Sequence, residues 1–191
     1  VMAQQIIIGV SMGLSIQLLF VAIRTAGEIM GLQMGLSFAT FFDPMGGQNM
    51  PVIARFLNLI ITLLFLMFNG HLWMISIIND SFEILPVTSS PLNTNAFLFF
   101  VNHAGIIFSY GLRLGMPVVT LLLTVNLILG LLNRLTPQLS IFVIGFPLTL
   151  ILGVASLVVQ MTFITPFFEE GMSNILDQLL EYIYMLNKPI D

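Results

Sequence analysis

Arg24 and Glu28 are the residues whose types and spacing best fit chemistry inside a membrane. They stand four positions apart, so a helix places both side chains on one face, where guanidinium and carboxylate can pair. Charges flanked by apolar sequence must be paired or hydrated. Two interpretations remain open: an ion or substrate site of a transporter, and a buried charge pair at a helix interface. We favour the structural pair.

Three other side chains have types that occur in catalytic or metal sites. Gly9-Val10-Ser11-Met12-Gly13 has the spacing of a nucleophile elbow, but that motif needs a strand before the serine and lies here inside one helical run. His71 and His103 have no carboxylate at a metal-ligand spacing beside them. Packing roles are therefore favoured for all three side chains, because a lone histidine in a membrane helix is more often a hydrogen-bonded packing residue.

Composition predicts a membrane-embedded or membrane-derived protein. The 191 residues are 58% hydrophobic and 7% charged, with a mean hydropathy of +1.05, whereas soluble domains contain about 25% charged residues. Five basic residues and a net charge of −4 argue against binding nucleic acid, which requires clustered Lys and Arg. Without cysteine, neither a disulfide framework nor a thiolate metal site is possible. The apolar start carries no basic region of a signal peptide, and we expect residues upstream to be missing.

Four long apolar runs predict an all-α protein built from membrane-type helices. The runs are 6 to about 42, 51 to about 82, 97 to about 133 and 138–165. The second run is longer than a bilayer core of about 30 Å requires, so it must tilt, kink or protrude. Gly115-Met116-Pro117 and Gly145-Phe146-Pro147 predict a bend in each arm of the last hairpin.

Small residues follow one face of the first run. Gly27, Gly31 and Gly35 fall four apart, a spacing that lets another helix approach closely where lipid gives no hydrophobic drive. We predict a helix-packing role for these three glycines.

The segment from Ser37 to Val52, SFATFFDPMGGQNMPV, separates the first two runs and is unusually apolar for a loop. Asp43-Pro44, Gly46-Gly47 and Asn49 to Pro51 are turn chemistry. Loops at a water surface are seldom built from large apolar side chains, yet the segment contains Phe38, Phe41, Phe42, Met45 and Met50. We expect this loop to plug a passage or to pack against something.

The polar stretch 85–95, LPVTSSPLNTN, is the best internal boundary, and we divide the chain into 1–90 and 91–191. The second part is predicted to be a helical hairpin with its tip at 133–138, followed by an amphipathic tail. A helical apolar stripe in that tail comprises Phe168, Met172, Ile175, Leu179, Ile183 and Leu186. Because its other faces are acidic, we expect the tail to pack on another protein chain rather than on an anionic membrane.

Three motifs closely resemble the FliR/SctT family of type III export-gate proteins. They are GEIMGLQMGLSFATFFDP (27–44), FNGHLW (68–73) and LGLLNRLTPQLSIFVIGFPLTL (129–150). The flagellar branch is the nearer likeness, and it covers essentially the whole chain except the family's N-terminal helical portion. Departures are confined to the loop interior, 45–48.

The resemblance implies a core subunit of the gate through which unfolded proteins leave the bacterial cytoplasm, with no catalytic residue, no cofactor and no metal. It implies a FliP-like portion (1–90) followed by a FliQ-like hairpin (91–191), assembled with FliP-like and FliQ-like subunits into a helical hetero-oligomer. The location implied is the bacterial inner membrane or the flagellar basal body. The tip, which would face the cytoplasm and an FlhB-like switch protein, contains Asn133, Arg134, Thr136, Pro137 and Gln138.

The resemblance further implies that 37–52 is a plug loop in the central pore. Pro44 and Pro51 are its expected hinges, and unfolded export substrates displace it. The expected plug residues are Phe38, Phe41, Phe42, Pro44, Met45, Gly46, Gly47, Asn49, Met50 and Pro51. The alternative remains a secondary transporter, or another polytopic membrane protein, with an intramembrane site at Arg24 and Glu28.

Overall fold

A computed structural model describes residues 2–36, 51–85, 94–136 and 141–187. These residues are 95% helical and contain no strand, which confirms the all-α prediction. The five helices are α1 (Met2–Gln33), α2 (Val52–Met67), α3 (Gly70–Ile84), α4 (Thr94–Leu135) and α5 (Ile141–Asn187).

Helix α1 ends at Gln33, and the expectation that it continues to about residue 42 is wrong. Gly35 adopts φ 79, the left-handed conformation that glycine reaches without a Cβ clash. The backbone N–H of Leu36 bonds to Gly31 O at 3.0 Å and that of Gly35 to Leu32 O at 3.0 Å. This pair of bonds is a Schellman motif, which satisfies the last carbonyls of the helix and stops it.

The second predicted run is two helices rather than one. Helices α2 and α3 meet at Phe68 and Asn69 with a bend of 61°. Asn69 has φ 55, and asparagine is among the few non-glycine residues that accept this conformation. Of the tilt, kink or protrusion that the length of the run predicts, the structure shows a kink at Phe68 and Asn69.

Helix α5 continues through Pro166 to Asn187, so the expected end of the fourth run at 165 is wrong. Helices α4 and α5 are antiparallel where both contribute to the first compact unit. The ring of Phe100 contacts that of Tyr182, while Tyr110, further along α4, stacks on Phe167, further back along α5.

The first compact unit contains the described residues within Val1–Ala22, Ile61–Tyr110 and Pro166–Asp191. The apolar stripe predicted for the α5 tail is confirmed, because all six of its residues are buried. The stripe packs within its own chain, and packing of the tail on another protein chain stays a prediction. Phe168 stacks on Phe68 with ring centroids 6.4 Å apart, and Tyr182 is in ring contact with Phe100 at 5.5 Å.

The second compact unit contains the described residues within Ile23–Ile60 and Gly111–Thr165. Side chains from α1, α2 and α4 form its core. Fully buried members are Met30, Met34, Leu57, Val118 and Leu122. Each unit draws on both sides of the 85–95 boundary, so compactness does not follow the division into 1–90 and 91–191, which stays a prediction about likeness to other subunits.

Within the described residues, three helical segments are long and apolar enough to cross a membrane. They are Gln5–Gln33, Leu98–Leu135 and Ile144–Asn187, and the bent pair α2–α3 adds a fourth if it is one span. Many large apolar side chains on them are exposed, among them Leu127, Leu131, Val158 and Phe163. Such surfaces are stable only against lipid or other helices.

Candidate functional site

Arg24 and Glu28 pair on α1, with Arg24 Nε 3.6 Å from Glu28 Oε1. Their side chains are 41% and 38% exposed, so the pair predicted as buried is only half-buried within this chain. The reason is its position, since both residues flank the buried stripe of α1 that includes Ala26 and Met30. The Arg24 Nε atom itself is buried without a hydrogen-bond partner among the described residues.

Gly27 and Gly31 lie where α2 and the residue before it approach α1. A Cβ placed on Gly27 would be 2.7 Å from the Ala54 Cα, and one on Gly31 would be 2.7 Å from the Pro51 Cβ. Both distances are too short for real side chains, so only glycine allows this approach. Gly35 lies beyond the end of the helix, where its positive φ forms the cap.

Two further contacts in the second unit were not singled out in the sequence. Gly153 of α5 faces Met34, whose Cε, Cγ and Sδ atoms would be 2.6–2.9 Å from an added Cβ. Gly115 of α4 faces Ala26 and Met30 less tightly, because an added Cβ would be 3.1 Å from the Ala26 Cβ and 3.4 Å from the Met30 Cε. A glycine inside a long helical run often has a packing reason, which was the available signal, but sequence does not reveal its partner.

Of the predicted loop residues that precede α2, the structure describes only Pro51. Its carbonyl accepts a hydrogen bond from the Arg55 N–H at 3.2 Å, in the first turn of α2. The other predicted plug residues lie outside the described residues: Phe38, Phe41, Phe42, Pro44, Met45, Gly46, Gly47, Asn49 and Met50.

The predicted hairpin tip begins where α4 ends. Arg134 lies in the last turn of α4, where a cation interacts favourably with the helix dipole. Thr136 closes the helix, with its N–H and its hydroxyl donating to Leu132 O at 2.8 and 2.9 Å. Asn133, Arg134 and Thr136 are all exposed, and Pro137 and Gln138 lie outside the described residues.

Ser11 and His103, two of the three side chains considered for chemistry, have packing contacts, whereas His71 is exposed. Ser11 is buried, donates to Ile7 O at 2.8 Å and accepts from the Tyr182 hydroxyl at 3.2 Å. His103 Nδ1 lies 2.8 Å from Phe99 O, one helical turn earlier. No group of three or more potential metal-binding His, Cys, Asp or Glu side chains occurs among the described residues.

Long apolar helices and a content of only 7% charged residues define a membrane-type helical protein. The model of the family described as bacterial export proteins, family 1, matches residues 1–175, and the chain belongs to this family. The predicted relationship to FliR-type proteins is thereby confirmed.

Curated relatives are named flagellar biosynthetic protein FliR. The protein of Pectobacterium carotovorum is 56% identical over 184 residues, which cover 96% of this chain and 70% of the relative. The protein of Escherichia coli K12 is 56% identical over 180 residues, covering 94% and 69%. That of Bacillus subtilis is 30% identical over 164 residues, covering 84% and 63%. Similarity of this extent supports a role in flagellar export.

Proposed function

We propose that this protein is a core subunit of the flagellar export gate and forms part of the conduit for unfolded substrates. The observation that carries the proposal is the family relationship, which spans most of the chain and includes relatives named for flagellar biosynthesis. The exposed apolar surface of α4 and α5 supports it, since a subunit buried among other helices needs such faces on several sides.

Within that gate, we propose that 37–52 is the plug. Its apolar composition supports this role, because a protein-conducting pore that opens for unfolded chains needs a seal without strong polar bonds to break. Methionine and phenylalanine provide the apolar surface of the seal, and the glycines and prolines allow the chain to turn. The mechanism is passive: side chains close the conduit and substrate displaces them.

Deletion of Met45–Asn49 tests the plug. The assembled gate carrying this deletion should leak small solutes at rest, because only side chains seal it. A deletion of equal length in the polar boundary, Val87–Pro91, is the control and should leave the resting gate closed. Resting conductance that is unchanged by the first deletion contradicts the plug.

The proposed partners are FliP-like and FliQ-like subunits, with an FlhB-like switch protein at the tip, in the inner membrane or the basal body. Arg134, exposed at the end of α4, supplies the one basic side chain of the tip. Arg134→Glu should reduce crosslinking of the tip to the switch protein, while Arg55→Glu on α2 should not. Purification of this chain as a stable monomer, free of homologous helical subunits, contradicts the assembly.

The half-buried pair of Arg24 and Glu28 is proposed to be completed by a neighbouring subunit. Its exposure supports this, because a charge pair within an apolar surface is stable where another polar group covers it. Replacing both residues by neutral ones should reduce recovery of the assembled gate. If assembly is normal but transport of a small solute is lost, the transporter interpretation is correct instead.

A further inference from the structure

Leu36 and Pro51, the described residues on either side of the segment 37–50, meet at a single residue of α1, Gly31. On the leaving side, the Leu36 N–H bonds to the Gly31 carbonyl at 3.0 Å. On the returning side, the Pro51 ring lies against the Gly31 Cα, so that an added Cβ would be 2.7 Å from the Pro51 Cβ. Adding covalent lengths to these contacts puts the Leu36 nitrogen within about 10 Å of the Pro51 ring. Leu36 and Pro51 therefore lie close together, although 14 residues of the sequence separate them.

The leaving end is held by two independent features. Gly35 closes the Schellman motif at φ 79, which sets the direction of the chain after α1. Met34 is fully buried, and its side chain fills the space that Gly153 leaves on α5. Because Cγ, Sδ and Cε would all be under 3.0 Å from a Cβ at 153, this contact depends on glycine there.

The returning end is held by the approach of α2 to α1. Ala54, one turn after Pro51, is fully buried, with its Cα and backbone N against Gly27. Backbone atoms cannot move aside as a flexible side chain can, so this contact sets the position of the first turn of α2. The contacts of Gly31 with Pro51 and of Gly27 with Ala54 therefore fix how the start of α2 is aligned along α1.

We propose that Gly31, Met34, Gly35, Pro51 and Gly153 form a loop base, which brings the two ends of the segment 37–50 together and holds them independently of the residues between. The inference that this base also positions the pore seal rests on the proposed plug function. The base itself rests only on the contacts between described residues. Its residues are positioning residues, and Pro51 belongs both to the base and to the end of the proposed plug.

The absence of cysteine from the sequence allows a direct test by crosslinking in the assembled gate. Leu36→Cys and Val52→Cys should be joined by a short homobifunctional maleimide, and mass spectrometry should detect the linked peptides. Val52→Cys with Leu66→Cys is the matched control. Both of these positions are exposed on α2, and 14 residues of helix separate them by about 21 Å.

The Leu36–Val52 link should form in good yield, persist when Met45–Asn49 is deleted, and exceed the control pair. Gly35→Val should lower the yield about tenfold, because a β-branched residue is strongly disfavoured at this φ. Gly130→Val, at an exposed position with nothing within 4 Å, should not. A Leu36–Val52 yield no higher than that of the control pair overturns the loop base.

A second measurement, the resting leakage of the gate, tests the loop base separately from the plug function. Gly153→Ala should raise resting leakage of the gate severalfold, and the increase should be smaller in a Met34→Ala background, where the conflicting side chain is gone. If crosslinking behaves as expected but neither Gly153→Ala nor deletion of Met45–Asn49 changes leakage, the base stands and the plug function fails. Equal effects of Gly153→Ala with and without Met34 overturn the role of that contact in the base.

Discussion

The side-chain Nε2 of Gln160, in α5, donates a hydrogen bond to the backbone carbonyl of Leu114, in α4. Pro117 lies three residues further along α4 and has no N–H. An internal proline removes the bond to the carbonyl four residues back and distorts the adjacent turn, and in apolar surroundings neighbouring side chains must satisfy the freed groups. The carbonyl that Pro117 leaves without its helical donor is that of Arg113, and Gln160, which is 9% exposed, donates from the neighbouring helix to the next carbonyl in the same turn, that of Leu114.

The energetic value of this bond should depend on the proline. Gln160→Met should destabilise the protein more in the natural background than in Pro117→Ala, where the proline no longer distorts the turn around Leu114 and the Leu114 carbonyl depends less on a donor from another helix. The expected coupling is about 1 kcal/mol. Thermal unfolding of the four proteins in detergent measures it. Gln17→Met, at an exposed position of α1, is the control and should show no coupling to Pro117. Additive effects of Gln160→Met and Pro117→Ala contradict the prediction.

Asn69 should tolerate glycine better than alanine. Its φ of 55 costs a residue with an ordinary side chain roughly 1 kcal/mol, which glycine avoids. Asn69→Ala should therefore lower the free energy of unfolding, while Asn69→Gly should leave it nearly unchanged. Asn79→Gly, inside α3, is the matched control and should destabilise by a few tenths of a kcal/mol. The opposite order at position 69 contradicts the prediction.

Gly70 should not accept a methyl group. An added Cβ would be 2.4 Å from two ring carbons of Phe65 and 3.0 Å from Met172 Sδ, in a core that also contains the edge contact of Phe20 with Phe65. Gly70→Ala should cost about 1–3 kcal/mol through overpacking. Gly105→Ala, at an exposed helical position with nothing within 4 Å, should instead be neutral or stabilise by about 0.5–1 kcal/mol. The denaturation midpoints of Gly70→Ala and Gly105→Ala test this prediction, and equal midpoints refute it.

Tyr182 and Ser11 should behave as one unit. The buried Tyr182 hydroxyl donates to Ser11 Oγ, which in turn donates to the Ile7 carbonyl. Tyr182→Phe and Ser11→Ala should each cost about 1 kcal/mol, and the double variant should cost less than their sum because both remove the same bond. Tyr184→Phe is the control, since that side chain is 62% exposed. A double variant as costly as the sum would show that the bond contributes nothing.

Residue patterns local to one helix were sufficient to predict much of the secondary structure and burial of this protein. The spacing of Phe168, Ile175 and Ile183 was sufficient to predict the buried stripe of α5, because a helix repeats its faces every 3.6 residues whatever lies opposite. Composition and the lengths of the runs were likewise sufficient for an all-α, membrane-type chain, and long motifs for its family. The length of the second run predicted a tilt, a kink or a protrusion, but it predicted neither which of these occurs nor a break at Asn69.

Contacts between distant residues were decided by tertiary structure alone. Proline commonly ends a helix, yet α5 continues through Pro166, since packing on both sides of a residue can outweigh its local preference. The glycines at 27 and 31 could be predicted to pack, but Ala54 and Pro51 as their neighbours could not, nor could Met34 on Gly153. Sequence spacing describes one helix at a time, and a contact depends on where two helices cross, which only the folded chain determines.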